Sequence, residues 1–413
     1  MPETSIETKL ELWASSLREV KRQMRPLFTQ ARVARSAENF LDGLLSENRR
    51  KNGWMRAQAA GDPGPWRQQA ILGRGRWDAD ALRDVVRGYA LKLLADDDAV
   101  LAVDETGFLK RGQASCGVAR QYTASVGKIT NCQIGVFACY VTKRGHAFID
   151  RELYLPKSWT DDKARMAQAH VPQEIIESAN GGFATKPALL LAMIEHAIVA
   201  KVPFSFIAAD MDYGGFDIET ALRRKGRGYV LGVKPEQPFH SRRKPVIIGG
   251  TAAEIAERLP PSAWTKLPIK AGVRDQPVHD WAHVELADID AGQYSKARKG
   301  EFWTRGLLIR RNSAEGELAF SATWAPQGTT LARLAEIEGS RRAMRDSFEI
   351  AKKELGLDHN ETRSWHGWRR HVTLVMLAFA TMAAIRVHGD APMSPATAMR
   401  RSMTARDSRR PRP

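Results

Sequence analysis

Between Ala99 and Lys234 the chain sets out a succession of short runs that strongly limits the folds open to it. VLAVD, GVARQYTAS and CQIGVFACYVT are β-branched or aromatic and are separated by glycine and polar turns, which predicts three consecutive strands. A helix over 187–200, the strand FSFIAAD, a helix over 217–225 and the strand YVLGVK follow. That β-β-β-α-β-α-β order predicts a mixed α/β sheet with helices on its faces. Two acids, Asp104 and Asp210, stand at the ends of apolar strands in this series.

If the two strands are neighbours, both carboxylates reach one edge of the sheet, where ligand sites in open α/β sheets commonly lie. Carboxylate oxygens suit Mg²⁺ or Mn²⁺. Two such ions held ~3.5–4 Å apart can cleave a phosphodiester. Either aspartate alone reads as an ordinary turn or capping residue. Two of them in one basic protein point to a site.

The balance of charge supports that direction. Lys plus Arg number 63 against 47 acids, a net charge of +16, which favours polyanionic partners and nucleic acid first among them. A length of 413 residues suggests two or three structural units. Cys116, Cys132 and Cys139 form no CxxC pair and no even disulfide framework, which suits a reducing compartment and argues against structural zinc. The first turns carry Glu3, Glu7 and Glu11 rather than a basic-then-apolar signal, so a cytoplasmic protein is expected. The longest apolar run, 372–385, falls short of the ~20 residues that span a bilayer and predicts a buried helix, with no membrane partner.

Ahead of the strands, Leu10, Trp13, Leu17, Val20, Met24 and Leu27 fall three and four apart and describe one amphipathic helix. A second helix is expected around 39–45, a third after Gly61-Asp-Pro-Gly-Pro, and a fourth from Asp78 as cap through Leu94. The turn Gly73-Arg-Gly-Arg-Trp between the last two resembles a DNA-docking unit, with an ordinary helical bundle as the other reading. Residues 241–328 alternate as a strand-rich insertion. A helix over about 339–355, the run RSWHGWRRH and the apolar helix follow. The tail after Pro392 carries six arginines against Asp407 and is expected to be disordered until it meets an anion.

The segments AVDETGFLKRG, GVARQYTASVGKITNCQIGVF, ELYLPKSW, AADMDYGG and AKKELGLDHNETRSWHGWRRHVTLVMLAFA, in that order from about Leu44 to Val387, resemble insertion-sequence transposases of the DDE superfamily. The resemblance implies a ribonuclease-H-like catalytic domain. The expected organisation is a helical DNA-binding module over 1–95, a core over 96–240 and 329–390 split by the insertion at 241–328, and the basic tail at 391–413. It also implies cleavage at terminal inverted repeats and joining of the freed 3′ ends to target DNA. Two Mg²⁺ or Mn²⁺ ions would be bound by Asp, Asp and Glu. The partners implied are double-stranded DNA and a second copy of the chain on that DNA, in a prokaryotic cytoplasm beside the nucleoid.

Carried over by motif, Asp104 and Asp210 match the first two acids. The third belongs to an Arg-x-x-x-Glu-x-x-x-x-x-x-Lys pattern, whose outer positions are Arg341 and Lys352. Arg345 stands where the glutamate is expected, and Arg342 replaces the usual tryptophan. Positions 341, 345, 349 and 352 share one helix face. A cation there opposes the metals, since each like-charge pair at ~4 Å costs about 4 kcal/mol even at an effective dielectric of 20. Asp346 points ~100° around the helix, and Glu349 lies one turn, ~5.4 Å, further along. Both are candidate substitutes, although Glu349 could also pair with Arg345. Glu338 precedes the pattern and would need a different helix start. Lys110 and Arg111, with Arg341, Arg345 and Lys352, are the expected DNA-phosphate contacts. Trp365, His366, Trp368, Arg369, Arg370 and His371 read either as a DNA-stacking cluster or as a packed helix start. Two functions stay open: an active Mg-dependent DNA transposase, and a catalytically inactive DNA-binding protein derived from one.

Overall fold

The computed structural model describes residues 6–240, 249–268, 278–286, 302–312 and 316–388, so the basic tail at 391–413 lies outside the described residues. Five helices come first: α1 (Ile6–Met24), α2 (Ala31–Leu44), α3 (Gly53–Ala60), α4 (Trp66–Gly73) and α5 (Ala79–Leu94). Strands β1 (Val100–Leu109), β2 (Ala119–Thr123), β3 (Lys128–Thr142) and β4 (Gly145–Tyr154) follow, then short α6 (Lys157–Thr160), α7 (Lys163–Gln168) and α8 (Gln173–Ile176). Next come α9 (Lys186–Val199), β5 (Phe206–Ala209), α10 (Phe216–Arg224), β6 (Gly228–Val233), β7 (Pro238–His240), β8 (Gly249–Thr251) and α11 (Ala252–Glu257). Strands β9 (Thr265–Pro268), β10 (Val278–Glu285), β11 (Trp303–Asn312) and β12 (Leu318–Pro326) lead to the long helices α12 (Leu331–Lys353) and α13 (Trp365–His388).

The chain divides into two compact units, one holding residues 1–95, 105–185 and 345–413, the other 96–104 and 186–344. In the first, α1 buries Trp13, Val20 and Met24, as its spacing predicts, and Asp78 caps α5 by accepting the Asp80 amide at 2.7 Å. α13 packs against α5, β4 and α1. The run RSWHGWRRH joins the apolar segment in this one helix, long and apolar enough by length and composition to cross a membrane. Its most apolar window is 89% buried inside the structure, which makes it a core helix.

Sequence patterning missed β4, which pairs antiparallel with β3. The charges of GHAFIDRELY look unsuited to an interior strand, yet Asp150 and Arg151 are buried. Arg151 donates to Asp80 at 2.7 Å, Arg83 reaches Asp150 at 3.4 Å, and Arg369 bridges Glu152 and Asp80. The compensating charges come from α5 and α13, distant in sequence, so no local pattern reports them. The same packing accounts for Trp368, Arg370 and His371 of the RSWHGWRRH run. Trp368 and His371 are fully buried, Arg370 donates to the Leu72 and Trp77 carbonyls, and His371 Nε2 bonds the Gly356 and Leu357 carbonyls. These side chains hold the helix start in place rather than presenting a stacking face.

In the second unit β1, β5 and β6 run parallel, and β12, β11, β10 and β9 continue antiparallel from β6. The strand-rich stretch therefore extends the sheet. Glu219 of α10 is fully buried and accepts Arg305 Nε and Nη2 at 2.8 and 2.9 Å, the Tyr229 hydroxyl at 2.9 Å and Arg223 Nη1 at 3.3 Å. β1 contributes its first half to this unit and its second half, hydrogen-bonded to β3, to the other. Strand by strand, the order β4-β3-β1-β5-β6 with antiparallel β3 and β4 and parallel β1, β5 and β6 is the mixed sheet of a ribonuclease-H-like α/β fold.

Candidate metal centre on the sheet

The parallel pairing of β1 with β5 ends at Val103↔Ala209, and the next residue on each strand is an aspartate. Neighbouring strands lie about 4.8 Å apart, so Asp104 and Asp210 begin side by side. Side chains alternate along a strand, which puts Val100 and Asp104 on one face of β1 and Phe206, Ala208 and Asp210 on one face of β5. Val100, Phe206 and Ala208 share a core cluster with Leu334, Ala335 and Ile337 of α12. The acids therefore continue the stripe of the sheet that α12 covers.

Asp104 does not end its strand, as the sequence pattern suggested. β1 runs on to Leu109, beyond its last pairing with β5 at Val103, with β3 on its other side. Asp210 does leave the sheet. It caps the 3₁₀ turn Met211–Tyr213 and accepts the Met211 amide at 2.6 Å. That turn lies flush on β6. A Cβ on Gly232 would fall 2.7 Å from the Met211 nitrogen, and one on Gly214 would collide with the Gly232 carbonyl oxygen. Backbone against backbone fixes where the Asp210 carboxylate sits.

The third contribution within this unit comes from α12, which starts at Leu331, a full two turns before the predicted start. Thr330 accepts the Arg333 amide at 3.2 Å as its cap, and Leu334 and Ile337 anchor it on the sheet. Glu338 is thus inside the helix and shares a face with Arg341. Arg341 Nη2 lies 2.8 Å from Asp210 Oδ1, and its Nη1 lies 3.5 Å from Glu338 Oε1. Glu338 Oε2 also takes Arg310 at 3.4 Å. Sequence reasoning set Glu338 aside; the missed signal was the cap at Thr330 followed by apolar Leu331, Leu334 and Ile337 at helical spacing.

The carboxylates of Asp104 and Asp210 are hard oxygen donors and fit Mg²⁺ or Mn²⁺. Asp104 is half-buried and the Asp210 side chain is 42% exposed, so both can be reached from solvent. Arg341, a candidate DNA contact from sequence, is instead buried against Asp210. Its Nε is buried without a hydrogen-bond partner, which costs about 1–3 kcal/mol.

The other sequence candidates lie in the first unit. Arg345 and Asp346 are exposed on α12. Glu349 pairs with Lys353 at 2.5 Å, one turn towards the helix C-terminus, rather than with Arg345, and that lysine holds its carboxyl below the usual range. Lys352 donates to the Gly107 carbonyl and to Ser125 Oγ, both at 3.1 Å, and burial lowers its pKa. Lys110 donates to the Asn360 carbonyl at 2.5 Å, also with a pKa lowered by burial, while Arg111 is exposed. Lys352 and Lys110 thus fix β1 and the loop after it.

A family model described as DDE superfamily endonuclease matches residues 23–282, more than half of the chain. The chain belongs to that superfamily. It is 23% identical over 212 residues to a protein of Microchaete diplosiphon named "Probable transposase for insertion sequence element IS701". The match covers 51% of this chain and 51% of that relative, so the chain spans about half the length of the curated protein it matches. The structure also matches a piggyBac transposase synaptic complex with hairpin DNA, at 10% identity and a TM-score of 0.43, over 97% of this chain and 80% of that one. Asp104 and Asp210 both lie within the residues that this family model matches.

Proposed function

We propose that the chain is a DNA transposase that acts at the terminal inverted repeats of an insertion sequence, with Asp104 and Asp210 as its metal-binding acids. The observation that carries this is the placement of both aspartates one step beyond Val103↔Ala209, on the face covered by α12, in a DDE endonuclease. A pair of divalent ions bound there would activate water and neutralise the leaving oxygen of a phosphodiester. The chain's own contribution is to hold two carboxylates on a rigid sheet and to keep Asp210 neutralised by Arg341 until a stronger cation arrives. Further partners in this reading are target DNA and a second copy of the chain.

A second reading, that the chain binds DNA ends without cutting them, is favoured by two features. Arg345 stands at the position of the third acid, and Arg341 already occupies Asp210. Of the sequence candidates for a substitute acid, Asp346 is exposed, Glu349 is engaged by Lys353, and Glu338 is joined to Asp210 through one guanidinium.

The test is Mg²⁺-dependent nicking of DNA carrying the sequences that flank the gene. The unmodified chain should cut weakly or not at all, and Arg345→Glu should raise cutting by orders of magnitude. Adding Asp104→Asn or Asp210→Asn to that variant should abolish it. If the Arg345→Glu protein stays inert, or cuts as well with either asparagine, the assignment of the acids is wrong. Efficient cutting by the unmodified chain would remove the second reading.

A further inference from the structure

Two clefts in the first unit meet at one arginine. One, of about 590 Å³, is lined by Arg32, Arg67, Arg74 and Arg76, with Trp66 at its rim exposed to 64%. The other, of about 820 Å³, is lined by Arg74, Arg165 and Arg363, together with His170 and His366. Glu361 is the sole acid among the residues lining the two. Arg67 is paired with Asp62 at 2.8 Å, which leaves five arginines against one lining carboxylate and makes a surface that repels cations and gathers anions along its length.

The turn that carries Arg74 and Arg76 is held from beneath. Arg370 donates to the Leu72 and Trp77 carbonyls at 3.0 and 2.9 Å, Trp77 Nε1 donates to the Ile71 carbonyl at 2.7 Å, and His366 Nε2 bonds the Gly73 carbonyl at 2.8 Å. Arg370 and Trp77 are buried, whereas Arg74 and Arg76 are exposed. Three buried or half-buried side chains thus fix the backbone of a short turn whose own side chains point at solvent. In the larger cleft Arg165 is fixed too: its guanidinium lies 3.8 Å from the centre of the Trp159 ring and donates to the Gln113 carbonyl at 2.8 Å. Arginines whose mounts are already ordered bind with less loss of freedom. Guanidinium forks match phosphate oxygens in geometry.

We propose that the two clefts joined at Arg74 form a phosphate track for the backbone of double-stranded DNA. The track runs from α2 and α4 through the Gly73–Trp77 turn to α7 and the loop before α13, so it is not confined to the N-terminal helices. It rests on the transposase reading and adds the surface by which the DNA is held.

The experiment measures binding of a fluorescent 30-base-pair duplex to the full chain between about 50 and 300 mM salt, without divalent ions. Replacing Arg32, Arg74, Arg76 and Arg363 together by alanine should weaken binding about tenfold or more and lower the slope of log K against log salt by about 3–4, from the release of about 0.9 counterion per phosphate contact. A control of equal charge loss, with Arg18, Lys92, Lys143 and Lys201 replaced by alanine, should change the slope by less than about 1. Thermal melting of both variants checks that they are folded. An unchanged slope in the track variant, or an equal drop in both, overturns the track while leaving the transposase reading in place. Failure of the unmodified chain to bind duplex DNA at all overturns both.

Discussion

Glu219 and Asp210 are both carboxylates gripped by arginine within one unit, and they are built to opposite ends. Glu219 is fully buried, and its two oxygens take a bidentate arginine, a second arginine and a tyrosine hydroxyl. The Asp210 side chain is 42% exposed and takes one guanidinium whose Nε is left unpaired. A closed network leaves no lone pair for a newcomer, so it can only hold structure. An exposed pair with a single arginine can exchange its partner. A carboxylate meets arginine in both places, and each place has one buried arginine Nε without a partner, on Arg223 and on Arg341; what separates them is burial and the number of donors on the carboxylate.

The comparison breaks most easily at Glu219. Glu219→Gln should lower stability by about 3–5 kcal/mol in chemical denaturation, because Arg305 and Arg223 are left in the interior without their counter-charge. DNA binding per folded molecule should stay as it was. A loss under about 1 kcal/mol would mean that the network is no more structural than the open pair.

A smaller effect tests the closed kind of site through pH. His371 is fully buried and its pKa is pushed down to about 3, first by burial and then by the nearby Arg56. The unfolded chain takes up a proton below about pH 6.5 that the folded chain refuses. Stability from this group is therefore full above about pH 6.5 and falls as the pH drops towards 3, by at most about 1.4 kcal/mol per unit. Between pH 6.5 and 5 the unmodified protein should lose up to about 2 kcal/mol more than His371→Gln. Parallel pH profiles for the two would show that the ring is not held neutral.

The smallest expected change in stability is at the open pair itself. Arg341→Gln should alter stability by about 1 kcal/mol or less, since its partner is well exposed to solvent. It should at the same time raise Mn²⁺ affinity, read by calorimetry. A loss as large as that of Glu219→Gln, with no gain in metal binding, would erase the distinction between the two sites.

Local signals were legible where the residues that satisfy them lie close in sequence. FSFIAAD followed by Met-Asp-Tyr-Gly-Gly announces a buried strand, a cap and a turn, and Asp78 announces α5. The strand β4 was not legible, because Asp150, Arg151 and Glu152 are made tolerable by Arg83, Asp80 and Arg369 in turn, which no local pattern includes. Glu338 was overlooked because the helix was begun at Gly339, eight residues after its true start at Leu331. Strand patterning and family resemblance both single out Asp104 and Asp210, while the hold of Arg341 on Asp210 is a tertiary contact that no local pattern reports. Sequence also left open whether RSWHGWRRH meets DNA, and burial answers that its arginines at 369 and 370 are engaged by the protein itself.

The contact between the Asp210 turn and β6 depends on two methyl groups that are not there, those missing at Gly214 and Gly232. Neither glycine carries a side chain that could touch a metal or a phosphate. A saturation screen scored on DNA cutting in the Arg345→Glu background would nevertheless find alanine at either position almost as harmful as asparagine at 210. The positions intolerant of change would outline the mould that shapes the carboxylate as well as the carboxylate itself.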